Sequence, residues 1–205
     1  LLWLNVLGPL TLGGVPLRGR RRRILLVALL EARAAGRAGL TPLALQDLLY
    51  PGQEEVRAFG ALRELVFALR RQFGTGVIER RGTLYTLGDR VASDLEVFLE
   101  NPQPWLWRGP YLDGLGTDQI LWARVYRRAL EAARRAEPLE ACRLLFSLLQ
   151  EEPYDETTLM LLLRHLEAVG SRSALEAVYL QARNRFQEVG LSLPPTPGEF
   201  LRGGS

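Results

Sequence analysis

The stretch Glu54–Leu87, EEVRAFGALRELVFALRRQFG followed by TGVIERRGTLYTL, decides how this chain is read. In its first part Phe59, Leu62, Val66, Leu69 and Phe73 recur at spacings of 3, 4, 3 and 4. That period keeps all five on one side of a helix with 3.6 residues per turn. The opposite side then carries Arg57, Gly60, Glu64, Phe67, Ala68 and Arg71, with Arg63 and Arg70 flanking the apolar stripe. Gly74 and Gly76 end the helix, and the period drops to two. Residues 77–80 and 84–87 read as two strands around a turn at Arg81-Gly82-Thr83. A basic helix is thus followed at once by a hairpin with Arg80 and Arg81 at its tip.

Upstream, residues 2–17 contain short apolar runs broken at Gly8-Pro9 and Gly13-Gly14, which predicts a small antiparallel sheet. Arg20, Arg21, Arg22 and Arg23 precede an apolar run from Ile24 to Ala32 that reads as a first helix. The helix macrodipole disfavours cations at that end by a few tenths of a kcal/mol each, so the cluster points to an anionic partner such as phosphate. The alternative is a solvated basic turn. Thr41-Pro42 is a helix start, a capping residue followed by proline at the first helical position, and Leu43, Leu45, Leu48 and Leu49 are expected to be the buried face. Helix, turn, helix, loop and basic third helix make a helix-turn-helix. The leading sheet and closing hairpin make it a winged one, with a helix that fits a major groove and a wing that reaches a phosphate strand or the minor groove.

The composition shifts near Asp89–Asp94. Residues 1–92 hold 14 Arg against 7 acidic residues, a balance of +7. Residues 93–205 hold 12 Arg against 16, a balance of −4. The asymmetry suggests an anionic partner for the first part only. Beyond it the chain reads as almost wholly helical. A short helix starts at Asp94, and a turn-rich connector contains Trp105 and Trp107. Four helices follow over about 117–136, 139–151, 155–169 and 172–189, broken at Glu137-Pro138, Glu152-Pro153, Gly170-Ser171 and Gly190. Helix pairs of this length resemble tetratricopeptide-like repeats. Trp105, Trp107 and Trp122 are expected to pack between the domains. The expected architecture is an α+β winged helix-turn-helix over 1–92, followed by an all-α, tetratricopeptide-like domain over 93–205.

An apolar fraction of 47% with 24% charged residues is that of a globular chain, long enough for a sizeable core. The single cysteine, Cys142, rules out an intrachain disulfide and fits a reducing compartment. No run approaches the roughly 18 apolar residues of a membrane span, and the N-terminal residues lack the basic region and cleavage site of a signal peptide. A cytoplasmic protein without membrane contact is expected. There is no phosphate-cradling glycine loop, no metal-ligand spacing, and no Cys or His beside an activating partner. A catalytic reading has no support, and no cofactor is expected. His165 and Cys142 read as packed helix residues.

Three stretches in the first half, LGPLTLGGVPLRGRRRRILLVALL, ALRELVFALRRQFG and IERRGTLYTL, resemble an OmpR-type winged helix. In the second half WRGPYLDGL, the run from LLQEEPYDE to FQEVGL, and PPTPGEFL resemble the bacterial transcriptional activator domain of SARP-type regulators. The resemblance covers nearly the whole chain. It implies a sequence-specific regulator, an activator, that binds repeats in double-stranded DNA near promoters, dimerises and contacts RNA polymerase. It places Arg70 where the third helix of such proteins meets DNA, Arg81 at the wing arginine, and Arg63 on the DNA-side flank. Residues 50–55, with Tyr50, Gln53, Glu54 and Glu55, fall where this class can touch polymerase. Phe67 and Ala68 depart from the polar or basic readers usual there. Phe67 can meet a thymine methyl group or pack on protein. The second reading is therefore a protein-interaction module whose helical repeats bind a partner while the winged helix has lost DNA binding.

Overall fold

The computed structural model describes residues 1–204, and Ser205, the end of the expected second domain, lies outside them. The chain forms two compact units: Leu1–Asn101 with Gly109–Arg124, and Pro102–Arg108 with the chain from Val125 onward. In the first unit β1 (Leu2–Asn5) pairs antiparallel with β2 (Thr11–Leu12), which pairs antiparallel with β3 (Val15–Pro16). α1 spans Arg20–Ala34, α2 Pro42–Leu49 and α3 Glu55–Phe73. A hairpin of β4 (Ile78–Arg81) and β5 (Leu84–Leu87) follows. β6 (Val91–Ser93) then returns to lie parallel to β1, in register Leu2 with Val91 and Leu4 with Ser93. The four-stranded order is β3-β2-β1-β6.

The expected antiparallel sheet therefore gains a parallel strand. Residues 92 and 93, where the composition shifts, lie inside β6. Three residues are too few for an alternating pattern to reveal a strand. What fixes β6 is its continuation. Ser93 caps α4 (Asp94–Glu100) by accepting from the Glu96 amide at 3.1 Å, and Asp94 accepts from the amides of Val6 and Leu7 at 2.8 and 3.1 Å. The buried Asp94 carboxylate thus satisfies two backbone donors just beyond β1, as buried polar groups require.

α1 is the central helix of this unit, buried continuously from Leu25 to Ala32. That run includes Glu31, only 2% exposed. Its carboxylate accepts from the amides of Thr117 (3.0 Å) and Asp118 (2.7 Å), just ahead of α5 (Gln119–Arg135). A buried acid is stabilised there by the orphan donors and positive end of a helix. Two residues on, in the last turn of α1, Arg33 holds both Glu96 oxygens at 2.7 Å and donates to the carbonyls of Gly88 and Val91 at 3.0 and 2.7 Å.

α2 begins as expected, with the Thr41 hydroxyl accepting from the Ala44 amide and Pro42 at the first position. Its buried face is Leu45, Gln46 and Leu49, while Leu43 and Leu48 are exposed. Eight residues with four leucines leave the rotation of a short helix undetermined by pattern alone.

The second unit is all-helical among its described residues: the end of α5, α6 (Pro138–Glu151), α7 (Glu156–Ala168), α8 (Arg172–Glu188) and α9 (Pro197–Gly203). α6 packs on α7 and α7 on α8. α9 was not anticipated. Thr196 caps it by accepting from the Glu199 amide, and the Tyr179 hydroxyl pins the preceding loop by donating to the Pro194 carbonyl at 2.6 Å. Cys142 is buried in α6, which pushes its thiol pKa up, and burial pushes that of His165 down. The tryptophans separate. Trp107 is fully buried and donates from its indole to the Ser147 hydroxyl, Trp122 packs on Tyr111 at 4.8 Å, and Trp105 is 65% exposed. Trp105 sits in a short 3₁₀ turn, Pro104–Leu106, which turns its ring outward while burying Leu106. No helix among the described residues is long and apolar enough to cross a membrane.

The wing is tied to the loop before α2. Leu40 and Tyr85 exchange both backbone hydrogen bonds, at 2.9 and 2.8 Å. This approach requires glycine at 39, because a Cβ there would stand 2.6 Å from the Tyr85 carbonyl oxygen. Gly39→Ala is expected to lower unfolding stability by about 1–3 kcal/mol, as overpacking does in well-filled sites, measured as a lower urea midpoint.

Candidate nucleic-acid interface

The rotation of α3 decides which residues face outward. The buried stripe is Ala58, Leu62, Val66 and Leu69, not a stripe that begins at Phe59. Phe59 is 38% exposed and Phe73 half-buried. Phe59 outweighs the small Ala58 on any hydrophobicity scale, which puts the expected stripe on it in the first turn. The register 58-62-66-69 nevertheless satisfies the helical period equally well.

The outward side carries Val56, Arg57, Gly60, Arg63, Glu64, Phe67 and Arg71. Val56 is 76% exposed and Phe67 67%. The Arg63 guanidinium lies 5.8 Å from the centre of the Phe59 ring, and Arg57 is 3.7 Å from Glu54, both groups highly exposed. Among the described residues Arg71 makes no side-chain hydrogen bond or ion pair.

Arg70 is directed differently from the expected DNA contact. Its Nε and Nη2 both donate to the carbonyl of Ile78, at 2.9 and 2.7 Å, and its side chain is half-buried. The guanidinium closes the step from the last turn of α3 to the first residue of the wing. Its position four residues after Val66, on the edge of the buried stripe, turns it inward.

In the wing, Arg81 is the last residue of β4, paired with Leu84, so the turn is only Gly82-Thr83. Gly82 takes a φ of 63°, the left-handed conformation that tight hairpin turns place on glycine. Arg81 is half-exposed and lies 2.6 Å from Asp89 and 3.6 Å from Glu79, carboxylates that raise its pKa. Arg80 is laid over the Tyr85 ring at 4.7 Å.

The arginines of α1 form its first turn, at the helix N-terminus. Gly19 is the N-cap, with no side-chain cap and no acid in the first turn. Each arginine has a different setting. Arg21 donates to the Leu49 carbonyl and lies over Tyr50 at 4.6 Å. Arg22 donates to Gln72 at the end of α3, and Arg23 is paired with Asp113 at 2.5 Å. Arg20 is exposed without a hydrogen bond or ion pair among the described residues. Arg20, Arg21, Arg22, Leu48, Pro51 and Leu65 border an open cleft of about 580 Å³, which brings the basic turn beside α2 and α3.

Of the loop expected to touch polymerase, Tyr50 is buried, packed beneath Arg21 at the end of α2, and is removed from that surface. Gln53, Glu54 and Glu55 are exposed, the last two at the start of α3.

Counted by compact unit, the charge asymmetry shrinks. The first unit holds 15 Arg against 12 acidic residues and the second 11 against 11 among the described residues. The acids that even the balance sit on Arg23, Arg33 and Arg37, which pair with Asp113, Glu96 and Asp118. The exposed cations of α3, the wing and the start of α1 remain. No group of three or more His, Cys, Asp or Glu side chains among the described residues is placed to hold a metal ion.

Comparison with known proteins gives a fold. Neither a protein-family model nor a curated relative matches the chain. Among solved structures it is similar to EmbR from Mycobacterium tuberculosis, determined in complex with a low-affinity phosphopeptide. The TM-score is 0.59 and the sequence identity 23%, over 98% of this chain and 63% of that one. This chain therefore spans less than two thirds of the EmbR chain's length. The shared architecture is an N-terminal mixed sheet with winged-helix-like helices, followed by an all-helical region.

The inward bonds of Arg70 predict a contrast between neighbours. Arg70→Ala should lower stability by about 1.5–3 kcal/mol, the range for hydrogen bonds to a charged group. Arg71→Ala should stay within about 0.5 kcal/mol of the parent, as an exposed substitution. Thermal unfolding of both variants checks this.

Proposed function

We propose that the chain is a SARP-type transcriptional regulator that binds double-stranded DNA through α3 and the wing. The observation that carries the reading is the set of exposed arginines on two consecutive elements. The outward side of a nineteen-residue helix presents Arg57, Arg63 and Arg71, and the hairpin that follows it presents Arg80 and Arg81. A helix of this diameter fits the major groove, and a short hairpin beside it reaches the flanking backbone. Arg71 and Arg81 take the roles of phosphate contacts. Surface ion pairs such as that of Arg81 with Asp89 contribute little, so phosphate displaces the carboxylate at small cost.

In this reading Arg70 positions the wing instead of touching the duplex. Arg20, Arg21 and Arg22 line a second anionic contact, and Gln53, Glu54 and Glu55 form the polymerase-facing loop. Residues 1–92 act as the DNA-binding domain, and residues 93–205 as the activator domain that supports dimerisation. The protein acts in the cytoplasm. The EmbR-like fold supports the assignment of architecture, and the arginine face supports the assignment of ligand.

The test is selection from a random duplex pool at two salt concentrations. Enrichment of a repeated motif with strongly salt-dependent affinity is expected. Arg71→Ala and Arg81→Ala should each flatten the dependence of log affinity on log salt by about one unit. Absence of binding at low salt would reject the reading and leave the protein-interaction module.

A further inference from the structure

We propose that α3 reads the 5-methyl group of thymine, with Phe67 as the reading side chain. This rests on the duplex-DNA reading above. At about 100° per residue, Val56, Phe59, Gly60, Arg63 and Phe67 fall within roughly 100° of arc on the outward side of α3. The helix is thus apolar on two sides. One buries Ala58, Leu62, Val66 and Leu69. The other leaves Val56 76% exposed and Phe67 67%, with Phe59 at its margin, 38% exposed beside the Arg63 guanidinium.

Two observations choose the occupant. The first is charge. Arg57, Arg63 and Arg71 stand along the apolar strip against one outward acid, Glu64, and Arg63 lies beside Phe59. A dry protein interface would desolvate these cations, whereas a DNA groove presents apolar methyl groups on its floor and phosphates along its rims. The second is Gly60. A mid-helix glycine costs roughly 0.5–1 kcal/mol relative to alanine. Nothing inside the protein requires it, because a Cβ at 60 would have no atom within 4 Å. Its side of the helix lies between Val56 and Phe67, where absence of a side chain lets the backbone approach a ligand closely. Phenylalanine offers no hydrogen bond to a base edge, and the thymine methyl is the apolar feature a major groove displays.

The experiment uses the full chain and the duplex it enriches from the random pool, remade with deoxyuridine in place of each thymidine in turn. Deoxyuridine lacks only the 5-methyl group. At one or more positions the replacement should weaken binding about three- to fourfold, the effect of withdrawing one methyl group from an apolar contact. In Phe67→Ala the thymidine and deoxyuridine duplexes should bind equally, with the salt slope unchanged. Gly60→Leu should leave the melting temperature unchanged or raised while lowering affinity more than tenfold, which separates groove access from folding.

Equal affinity of the parent chain for every thymidine and deoxyuridine duplex would overturn the proposal, as would a preference that survives in Phe67→Ala. The duplex reading would stand in either case. Failure to bind any duplex at low salt would overturn both. A dimer that dissociates on Phe67→Ala would then identify a second copy of the chain as the occupant.

Discussion

The bond pair from the Arg70 guanidinium to the Ile78 carbonyl is the constraint on which the outer face depends. The buried stripe Ala58-Leu62-Val66-Leu69 fixes how α3 is rotated, and Arg70 fixes where the chain goes when the helix ends. A wing joined only through Gly74 and a 3₁₀ turn at Thr75–Val77 would have many conformations open to it. One cation holding one carbonyl, with Leu40 and Tyr85 bonded on the far side of the hairpin, removes most of them. The distance between the outward arginines and the tip at Arg81 is set before any ligand arrives, and ordering costs at binding fall accordingly.

In the first unit the arginines and carboxylates that serve the fold are satisfied either by one another or by backbone groups. Arg33 with Glu96, Arg37 with Asp118 and Arg23 with Asp113 join segments more than fifty residues apart in sequence. Glu31 and Asp94 satisfy backbone donors at the start of α5 and just beyond β1. Net charge is therefore a poor guide to this chain. What distinguishes the outer face of α3 and the wing is that its cations are exposed and weakly paired, or unpaired among the described residues.

Much of this was legible in the sequence. Helices α1 to α8, the hairpin, the Thr41-Pro42 cap and the all-helical second half follow from period, capping chemistry and proline placement. β6 was not legible, because three residues carry no period and its partner strand lies almost ninety residues earlier. The stripe of α3 was legible at Leu62, Val66 and Leu69 but not at its first turn, where Ala58 is buried and Phe59 is at the margin, because phenylalanine dominates an apolar pattern. Val56 and Phe67 stand outside that stripe, Phe67 where the helical period already put it. The inward turn of Arg70 could not be read from its identity, since Arg70 and Arg71 are adjacent and only packing tells them apart.

The most direct test of the α3–wing face as the interface is amide hydrogen exchange of the full chain with and without its selected duplex. The account predicts new protection concentrated on the outward residues of α3, the turn at Gly82-Thr83 and the first turn of α1, with the second unit unchanged. Protection confined to the second unit, or none on α3, would contradict it.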